Sequence, residues 1–337
     1  MAGTLHGFGL GVASKNAKGD VLDVFYPAPL ANISGDLVSI FDGVSGELKA
    51  TEIRALSDGL RSAGEHALAD IAVRLSEAGR PVVASLLADN AAPQTVADAY
   101  LKLHLLSHRL IKPHGTDLTG MFALLPNVAW TDEGPIDLAE LADRQLTSRL
   151  KGRVLEVASV DKFPKMTNYV VPSGVRIAHT ARVRLGAYLG SGTTVMHEGF
   201  INFNAGTDGP GMIEGRISAG VMVGKGSDLG GGCSTMGTLS GGGNIIISVG
   251  ESCLLGANAG LGIPLGDRCT VEAGLFVTAG TKVTVLDDAR EAVETLAARH
   301  LSGQSDLLFR RNSQSGSVEC LTNQTAIELN ESLHDNN

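Results

Sequence analysis

The chain has 337 residues, a formal net charge of −9 at pH 7 and 43% hydrophobic residues. This length allows two or three domains, and the hydrophobic content is enough to bury a core. The acidic balance argues against a nucleic-acid binder, which presents a basic surface to phosphates. No apolar run approaches the roughly 18 residues of a membrane helix, and the N-terminus lacks the features of a secretory signal. The four cysteines show no CxxC spacing, so we expect reduced thiols in a cytoplasmic protein.

The first 110 residues predict a mixed α/β domain. Apolar residues at helical spacing alternate there with Gly and Pro, and the run 82–87 predicts a buried strand. Residues 111–171 are predicted to connect this domain to the next one. The helices predicted over both segments cover residues 51–64, 65–79, 94–111 and 137–150.

Residues 172–286 hold 26 of the 43 glycines, and apolar residues recur there every six positions. Fifteen of the sixteen positions are apolar, whereas a 43% hydrophobic composition would give about seven. A period of six fits short extended pieces that stack as parallel strands and point one side chain inward at each turn. The pattern predicts a hexapeptide-repeat β-helix over residues 172–286. Its positions are Ile177, Val183, Leu189, Val195, Ile201, Ile217, Val223, Leu229, Thr235, Ile247, Cys253, Ala259, Leu265, Val271, Val277 and Val283.

The six-residue phase breaks between Ile201 and Ile217, which are sixteen residues apart. We therefore expect residues 202–216 to leave the solenoid as an excursion, and excursions of this kind often carry function. The stretch GTLSGGGN keeps phase with Gly241 at the skipped position, and it is interpreted as a further coil or a protruding loop. After the repeat, residues 287–337 predict a helix over 288–300 and a hairpin over 307–321.

Four segments identify a family. The strings MHEGFINFNAGT, IEGRIS, GGGCSTMGTLSGGG and LLGANAGLGIPLGD resemble the tetrahydrodipicolinate N-succinyltransferases of the actinobacterial and pseudomonad-like type. The resemblance is strong over residues 172–315 and looser over the N-terminal domain. It implies an α/β N-terminal domain followed by a left-handed parallel β-helix and a short C-terminal helix plus hairpin. It also implies a homotrimer with active sites between neighbouring subunits.

The resemblance implies that succinyl-CoA donates its succinyl group to the amine of ring-opened tetrahydrodipicolinate. The products would be N-succinyl-2-amino-6-ketopimelate and CoA, on the route to diaminopimelate and lysine. Glu214 matches the family's EGR motif and is implied to be the catalytic carboxylate, either as general acid/base or as a transient acyl-anhydride nucleophile. Gly237 matches the STMG motif, and its backbone N–H is the candidate oxyanion donor.

The family's CoA site falls on small residues and arginines of this chain. Arginine pairs suit CoA phosphates, although Arg216 could instead pair with Glu214. Ala297 stands where the family has a lysine, so one CoA contact is expected to be missing. The positions implied to bind succinyl-CoA are Arg216, Gly231, Ser234, Ala257, Glu272, Ala273, Gly280, Arg310, Arg311, Asn312 and Ser313.

Three residues that flank the predicted excursion are candidate contacts for the carboxylates of the dicarboxylate substrate, namely Arg184, Asn202 and Asn204. The two asparagines could equally form side-chain ladders between coils. Glu198 matches a carboxylate associated with a divalent ion, Mg²⁺, near the trimer axis of relatives. The partner acid falls at Ala181 here, which weakens an oxygen cage, so a paired or solvated glutamate is an equal interpretation.

Two other functions stay open. A hexapeptide acetyltransferase with another amine or hydroxyl acceptor would use a histidine as general base, and His197 is the candidate. A non-catalytic scaffold would bind a partner through its loops, but it has no need of the EGR and STMG segments.

Overall fold

The structure, a computed structural model, describes residues 4–237 and 245–322. Contacts divide the chain into two compact units, of which the first comprises residues 1–111, 115–164 and 168–170 and the second comprises the rest. The four-part division drawn from the sequence stays a prediction. Among the described residues, none of the helices combines the length and the apolar character needed to cross a membrane.

The first unit contains two sheets and six α-helices within its described residues. Its elements are β1 (Leu5–Lys15), β2 (Val21–Phe25), β3 (Leu30–Ile33), α1 (Asp36–Phe41), β4 (Gly46–Glu47), α2 (Ala50–Ser62), α3 (His66–Ser76), β5 (Val82–Leu87), α4 (Val96–Ser107), α5 (Met121–Leu124), β6 (Val128–Thr131), β7 (Gly134–Asp137), α6 (Leu138–Leu150) and β8 (Val157–Asp161). The five-stranded sheet has the order β2-β1-β5-β4, with β3 also beside β1, and the other sheet has the order β7-β6-β8. The predicted strand 82–87 and all four predicted helices are confirmed, with ends that differ by a few residues.

Strand β1 alternates glycine with large apolar residues because its two faces pack differently. Phe8 and Leu10 lie in the core that α1, α2 and α3 form on one face. On the other face, a Cβ at Gly9 would lie 2.8 Å from the side chain of Leu101 in α4. The alternation therefore lets α4 approach the sheet closely.

Helix α4 is shorter than predicted at both ends. Thr95 closes its first turn, since the Thr95 hydroxyl accepts a hydrogen bond from the Asp98 N–H (3.1 Å) and the Asp98 carboxylate accepts one from the Thr95 N–H (3.0 Å). At the other end Arg109 has a φ of 62°, a left-handed conformation that terminates helices.

The second unit is a parallel β-helix with a C-terminal extension. Its strands are β9 (Arg176–Ile177), β10 (Ala187–Leu189), β11 (Thr193–Val195), β12 (Phe200–Ile201), β13 (Ala205–Thr207), β14 (Gly211–Ile213), β15 (Arg216–Ile217), β16 (Met222–Val223), β17 (Asp228–Leu229), β18 (Ser234–Thr235), β19 (Ser248–Val249), β20 (Leu254–Leu255), β21 (Gly260–Gly262), β22 (Thr270–Val271), β23 (Phe276–Thr278), β24 (Lys282–Leu286), β25 (Ala292–Ala297), β26 (Leu307–Arg311) and β27 (Val318–Thr322).

Three parallel stacks of strands form the faces of the solenoid. The first face is β10-β13-β16-β19, the second is β9-β11-β14-β17-β20-β22-β26 and the third is β12-β15-β18-β21-β23. From β10 to β21 the chain visits the faces in this order in each coil. Of the sixteen predicted inward positions, all except the half-buried Ile177 are buried, so the predicted β-helix is confirmed.

The predicted excursion over residues 202–216 is wrong. These residues form a complete coil, because β13 pairs with β10 and β14 pairs with β11 in register. The phase changes because the step from Ile213 on the second face to Ile217 on the third takes four residues, whereas the step from Val195 to Ile201 takes six. Counting in sixes cannot tell a shortened corner from an excursion.

A second shift affects the later repeats. Ile247, Cys253 and Ala259 are buried but precede by two residues the paired positions, which are Val249, Leu255 and Leu261. Strand β19 pairs directly with β16 on the first face, and the stretch GTLSGGGN, interpreted from the sequence as a further coil or a protruding loop, lies outside the described residues after Gly237. The predicted skipped position, Gly241, lies outside the described residues.

The C-terminal prediction is half correct. The hairpin predicted over 307–321 is confirmed by β26 and β27. The helix predicted over 288–300 is wrong, because this segment contains β25 followed by a 3₁₀ turn at Ala298–Leu301. Antiparallel pairing with β24 overrides the local helix propensity, and the β-branched Val293 and Thr295 suit a strand.

We expect Gly206→Ala to lower the free energy of unfolding by about 1–3 kcal/mol. A Cβ at Gly206 would overlap the backbone carbonyl of Tyr188 in the neighbouring coil, and backbone cannot move aside cheaply. Gly280→Ala is the matched control, because a Cβ there meets nothing within 4 Å. Urea unfolding of both variants tests this, and equal stability would contradict the coil packing.

Candidate active site

Many of the predicted site residues lie along one edge of the solenoid, where the second face turns onto the third. The inward residues Ile213, Leu229, Leu255, Val271 and Phe309 pair in successive coils. We call the residues that follow them the donor edge: Glu214, Gly230–Gly232, Gly256–Ala257, Glu272–Gly274 and Arg310–Arg311. Since neighbouring strands are about 4.8 Å apart, the donor edge runs roughly 19 Å from Glu214 to Arg310.

Glu214 lies in the shortened corner, and its backbone is held by the next coil. Its N–H donates to the carbonyl of Leu229 at 2.8 Å, and its own carbonyl accepts from the Gly232 N–H at 3.4 Å. A Cβ on Gly231 would be 3.5 Å from Glu214 Oε2, so the carboxylate stands next to that glycine. Within residues 4–237 and 245–322 no group hydrogen-bonds this carboxylate, which leaves it available as a base.

Arg216 lies on the third face next to the donor edge. Its Nε donates to the Ser234 hydroxyl in the neighbouring coil at 2.8 Å, and the side chain is otherwise exposed. None of the ion pairs between described residues joins Arg216 to Glu214, so the alternative of such a pair is not realised. The anchored guanidinium has N–H groups left for a ligand carboxylate.

Cys233 is a buried residue whose thiol lies close enough to Glu214 and Arg216 to be affected by their charges. A Cβ on Gly215 would overlap the Cys233 Sγ. Burial raises the pKa of the Cys233 thiol to about 12, opposed by the charge of Arg216 and reinforced by that of Glu214. The thiol therefore stays protonated near neutral pH and does not serve as a nucleophile.

The glycines of the site fall into two groups: Gly230 and Gly256 are required by the packing of the chain itself, whereas Gly231 and Gly280 are not. Gly230 and Gly256 must be glycine, because a Cβ would press against the next coil at 2.8 and 2.5 Å. Gly231 and Gly280 are outside the left-handed region, and their Cβ would meet only Glu214 Oε2 at 3.5 Å or nothing within 4 Å. Open space kept by a glycine suits the close approach of a ligand.

The remaining candidates lie on the opposite edge of the third face, which we call the acceptor edge. Gly237 follows β18 there, and Gly280 follows β23. Arg184 and Asn202 follow the third-face residues Val183 and Ile201, which pair with each other. One chain therefore places Glu214 and Gly237 at opposite edges of the same face rather than at one point.

The candidate substrate contacts on the acceptor edge also stabilise the corner. Arg184 NH1 donates to Asn202 Oδ1 at 3.1 Å, and its guanidinium lies 5.9 Å from the centre of the Phe200 ring. Asn204 has a φ of 50° and accepts a hydrogen bond from the His114 N–H at 2.9 Å. Asn204 thus has a structural role at the turn.

The two arginines of the C-terminal hairpin have different surroundings: Arg310 is paired within the protein, whereas Arg311 is exposed. Arg310 pairs with the buried Glu319 through Nε (2.9 Å) and NH2 (2.8 Å). Asn312 donates to the same carboxylate at 2.7 Å, and the hydrogen bond from Asn312, together with Arg310, lowers the pKa of Glu319. Arg311 is exposed, and among the described residues its guanidinium gives one hydrogen bond, of 3.3 Å, to the Gly316 carbonyl. Arg311 is therefore better placed for a phosphate than Arg310, and Ser313 is exposed in the turn.

The upper part of the donor edge is connected to this hairpin. The Glu272 carboxylate accepts a hydrogen bond from the Arg311 N–H at 2.7 Å. Ala257 and Ala273 are exposed between Glu272 and Gly231, so small side chains line the middle of the edge.

Sequence reasoning missed Lys282. Ala297, where a lysine was expected from the resemblance, is the cross-strand partner of Lys282 in the β24–β25 pair. Side chains of such partners share a face of the sheet. Only the register of the two strands reveals this, because the chain separates the two residues by fifteen positions.

The described residues of one chain do not fit a magnesium site. Glu198 is exposed and lies 3.2 Å from the guanidinium of Arg182. No three His, Cys, Asp or Glu side chains come together among the described residues in a way that could hold a metal ion. His197 is exposed on the corner one coil below Glu214, beside Glu198.

Comparison with known proteins agrees with this architecture. The family model "Tetrahydrodipicolinate N-succinyltransferase middle" matches residues 125–165, and the model "Hexapeptide repeat of succinyl-transferase" matches residues 246–279. A Campylobacter jejuni crystal structure, described as a 2,3,4,5-tetrahydropyridine-2-carboxylate N-succinyltransferase, has a TM-score of 0.86 and 32% identity and covers 96% of this chain and 94% of its own. The class is that of the hexapeptide-repeat transferases, and the predicted left-handed parallel β-helix after an α/β domain is confirmed.

Curated relatives narrow the class further. Proteins named 2,3,4,5-tetrahydropyridine-2,6-dicarboxylate N-succinyltransferase are 63% identical in Pseudomonas putida and Pseudomonas aeruginosa, over 100% of both chains. The Vibrio cholerae protein of that name is 57% identical over 98% of both chains. The chain therefore belongs to the tetrahydrodipicolinate N-succinyltransferase family, as the resemblance predicted, and it is an acyltransferase.

We expect Gly231→Ala to fold normally but to lose most of its turnover. The added methyl group has room within the chain, so stability should change by less than about 0.5 kcal/mol, but it occupies the space next to the Glu214 carboxylate. Urea unfolding and steady-state kinetics of the same preparation separate the two effects. Normal kinetics would show that no ligand uses this space.

Proposed function

We propose that the chain transfers the succinyl group of succinyl-CoA to the amine of ring-opened tetrahydrodipicolinate. The products are N-succinyl-2-amino-6-ketopimelate and CoA, on the route to diaminopimelate and lysine. The reaction is inferred from the family to which the chain belongs, and one observation supports the assignment of the catalytic role to Glu214. The Glu214 carboxylate stands beside the open position at Gly231, without a hydrogen bond from any described residue.

Glu214 acts as the general base of the reaction in the first of two possible routes. The amine nitrogen attacks the thioester carbonyl carbon, Glu214 takes the proton that the nitrogen loses, and the C–S bond breaks as the sulfur receives a proton and leaves as CoA thiol. In the alternative route, the carboxylate itself attacks the thioester and the amine then opens the anhydride. Gly237 donates its N–H to the oxyanion in either route, a contribution that is typically worth about 10²–10³ in turnover.

The donor lies along the edge that starts at Glu214. Arg216, anchored on Ser234, binds the succinyl carboxylate, and Gly231, Ala257 and Ala273 leave room for the pantetheine arm. Arg311 and Lys282 provide cations for the CoA phosphates. Lys282 thereby supplies the charge that Ala297 lacks.

A homotrimer completes the site. Glu214 lies on the donor edge, and the oxyanion donor Gly237 lies on the acceptor edge with Arg184, Asn202 and Gly280. A donor edge that faces the acceptor edge of a second copy brings both sets together, and three copies close such a head-to-tail contact into a ring. Sedimentation analysis tests this assembly.

The cellular setting follows from the co-substrate. The CoA donor and the four buried free cysteines support a cytoplasmic protein. Because the residues of one chain do not fit a magnesium site, no step of the reaction is routed through Mg²⁺.

We expect Glu214→Gln to lower kcat by about 10²–10⁴ with 2-aminopimelate as acceptor, while CoA binding is retained. The amide keeps the size of the side chain but cannot accept the proton. Glu251→Gln is the matched control, because Glu251 is an exposed glutamate of the β-helix outside the donor edge. Near-normal turnover of Glu214→Gln would remove Glu214 from the chemistry.

The donor specificity separates succinyl transfer from the acetyltransferase alternative. The same enzyme preparation is assayed with succinyl-CoA and acetyl-CoA, and we expect a clear preference for succinyl-CoA because Arg216 has N–H groups available for its carboxylate. A preference for acetyl-CoA, together with loss of activity in His197→Gln, would instead support an acetyltransferase with a histidine base.

A further inference from the structure

The first unit contains a charged cleft of about 290 Å³, and its lining residues are different from those of the candidate active site. Its walls come from the end of β1, the residues before β5, the β6–β7 hairpin and α6. Four charged side chains line it, namely Lys15, Arg80, Glu133 and Arg144. Three of the four are cationic in a chain whose net charge is −9, so the cleft is locally suited to an anion.

The cations of the cleft are only partly neutralised by the protein. Lys15 pairs with Glu47, and the NH2 of Arg144 lies 2.6 Å from Glu133 Oε2. That single contact leaves the other N–H groups of Arg144 for a ligand. Arg80 is exposed and, within the described part of the chain, takes part in no hydrogen bond or ion pair through its side chain.

The buried carboxylate of Asp23, on which the charge of Arg80 acts, makes no hydrogen bond or ion pair with Arg80. Asp23 accepts a 2.6 Å hydrogen bond from the Tyr169 hydroxyl. Burial raises the pKa of Asp23, and the hydrogen bonds from Tyr169 and Ser14 oppose that shift more strongly than the charge of Arg80 does. The guanidinium of Arg80 therefore acts on Asp23 from a distance and keeps its donors free.

Irregular strand pairing aims residues at the cleft. The register of the β1–β2 pair shifts between Ser14 and Lys15, both of which line the cleft. The register of the β6–β8 pair shifts between Trp130 and Thr131, just before the turn that holds Glu133. Bulges of this kind re-aim side chains and are common beside binding sites.

We propose that this cleft binds a small linear dicarboxylate, with one carboxylate on Arg80 and the other on Arg144. A planar guanidinium binds a carboxylate through two parallel N–H groups. Two arginines that come from different elements, the segment before β5 and helix α6, suit a ligand with a carboxylate at each end. Lys15 is already paired with Glu47, so the two arginines carry the recognition of the ligand. The site lies in the first unit and does not depend on the proposed succinyl transfer.

Isothermal titration of the full chain with pimelate tests the proposal. Pimelate can also enter the β-helix site, so Arg216→Gln marks that site and Arg80→Gln marks the cleft. Arg61→Gln is the matched control, because Arg61 pairs with Asp70 and does not line the cleft. We expect Arg80→Gln to weaken one of the binding events about ten- to hundredfold, while Arg61→Gln and Arg216→Gln leave that event unchanged.

Two further measurements keep the result decisive. Turnover of Arg80→Gln should equal that of the unsubstituted chain, and its thermal unfolding should be unchanged without ligand, since Arg80 makes no hydrogen bond or ion pair with the described residues. Arg144→Gln should weaken the same event. Should Arg144→Gln fail to fold, Arg144→Lys replaces it. This variant should still weaken the binding event because the guanidinium fork is lost, but less than Arg80→Gln does because the positive charge is kept.

Either of two outcomes would overturn the proposal. In the first, Arg216→Gln abolishes pimelate binding and Arg80→Gln leaves it intact. All of the pimelate binding would then belong to the β-helix site, and the proposed succinyl transfer would not be affected by the failure of the cleft proposal. Equal binding of sulfate and pimelate at matched ionic strength would reduce the cleft to a general anion site without selectivity for a dicarboxylate.

Discussion

The second unit depends on one packing constraint: each side of each coil must place a buried side chain inward, in most cases an apolar one, directly above that of the coil below. Val195, Ile213, Leu229 and Leu255 form one such column. Because every strand in the stack pairs its backbone with the coils above and below, the chain can change length only at the corners. The corners are consequently where polar residues and insertions are tolerated.

The shortened corner that contains Glu214 follows directly from this constraint. A four-residue step between Ile213 and Ile217 keeps both side chains inward but leaves no slack for the residues between them. The backbone of Glu214 is bonded to the next coil, and its carboxylate stands beside Gly231. The backbone of this residue is therefore fixed in position, while its carboxylate keeps its hydrogen-bonding capacity for a ligand, which is what a general base requires.

The sequence alone predicted the repeat, the hairpin and most helices, because each depends on local periodicity or turn chemistry. It failed where distant pairing decides the outcome. Residues 202–216 were expected to leave the solenoid because a count of six does not show which corner is short. The segment 288–300 was expected to be helical because its pairing with β24 is invisible in its own residues.

For the site, motif resemblance identified the residues but not their arrangement. The division between Glu214 on the donor edge and Gly237 on the acceptor edge becomes visible only with the order of the strands. Glycines are a further case, since Gly206 and Gly231 look alike in the sequence. The neighbouring coil excludes a side chain from Gly206, while the space at Gly231 is open towards Glu214.

A crystal structure with CoA and 2-aminopimelate bound tests the central claim most directly. The account predicts that the CoA sulfur lies over Gly231, with the acceptor amine within hydrogen-bond reach of the Glu214 carboxylate or one water away. It also predicts that the nearest Gly237 N–H belongs to a second copy of the chain. A CoA sulfur bound away from the donor edge, or a Glu214 carboxylate turned from it, would contradict the account.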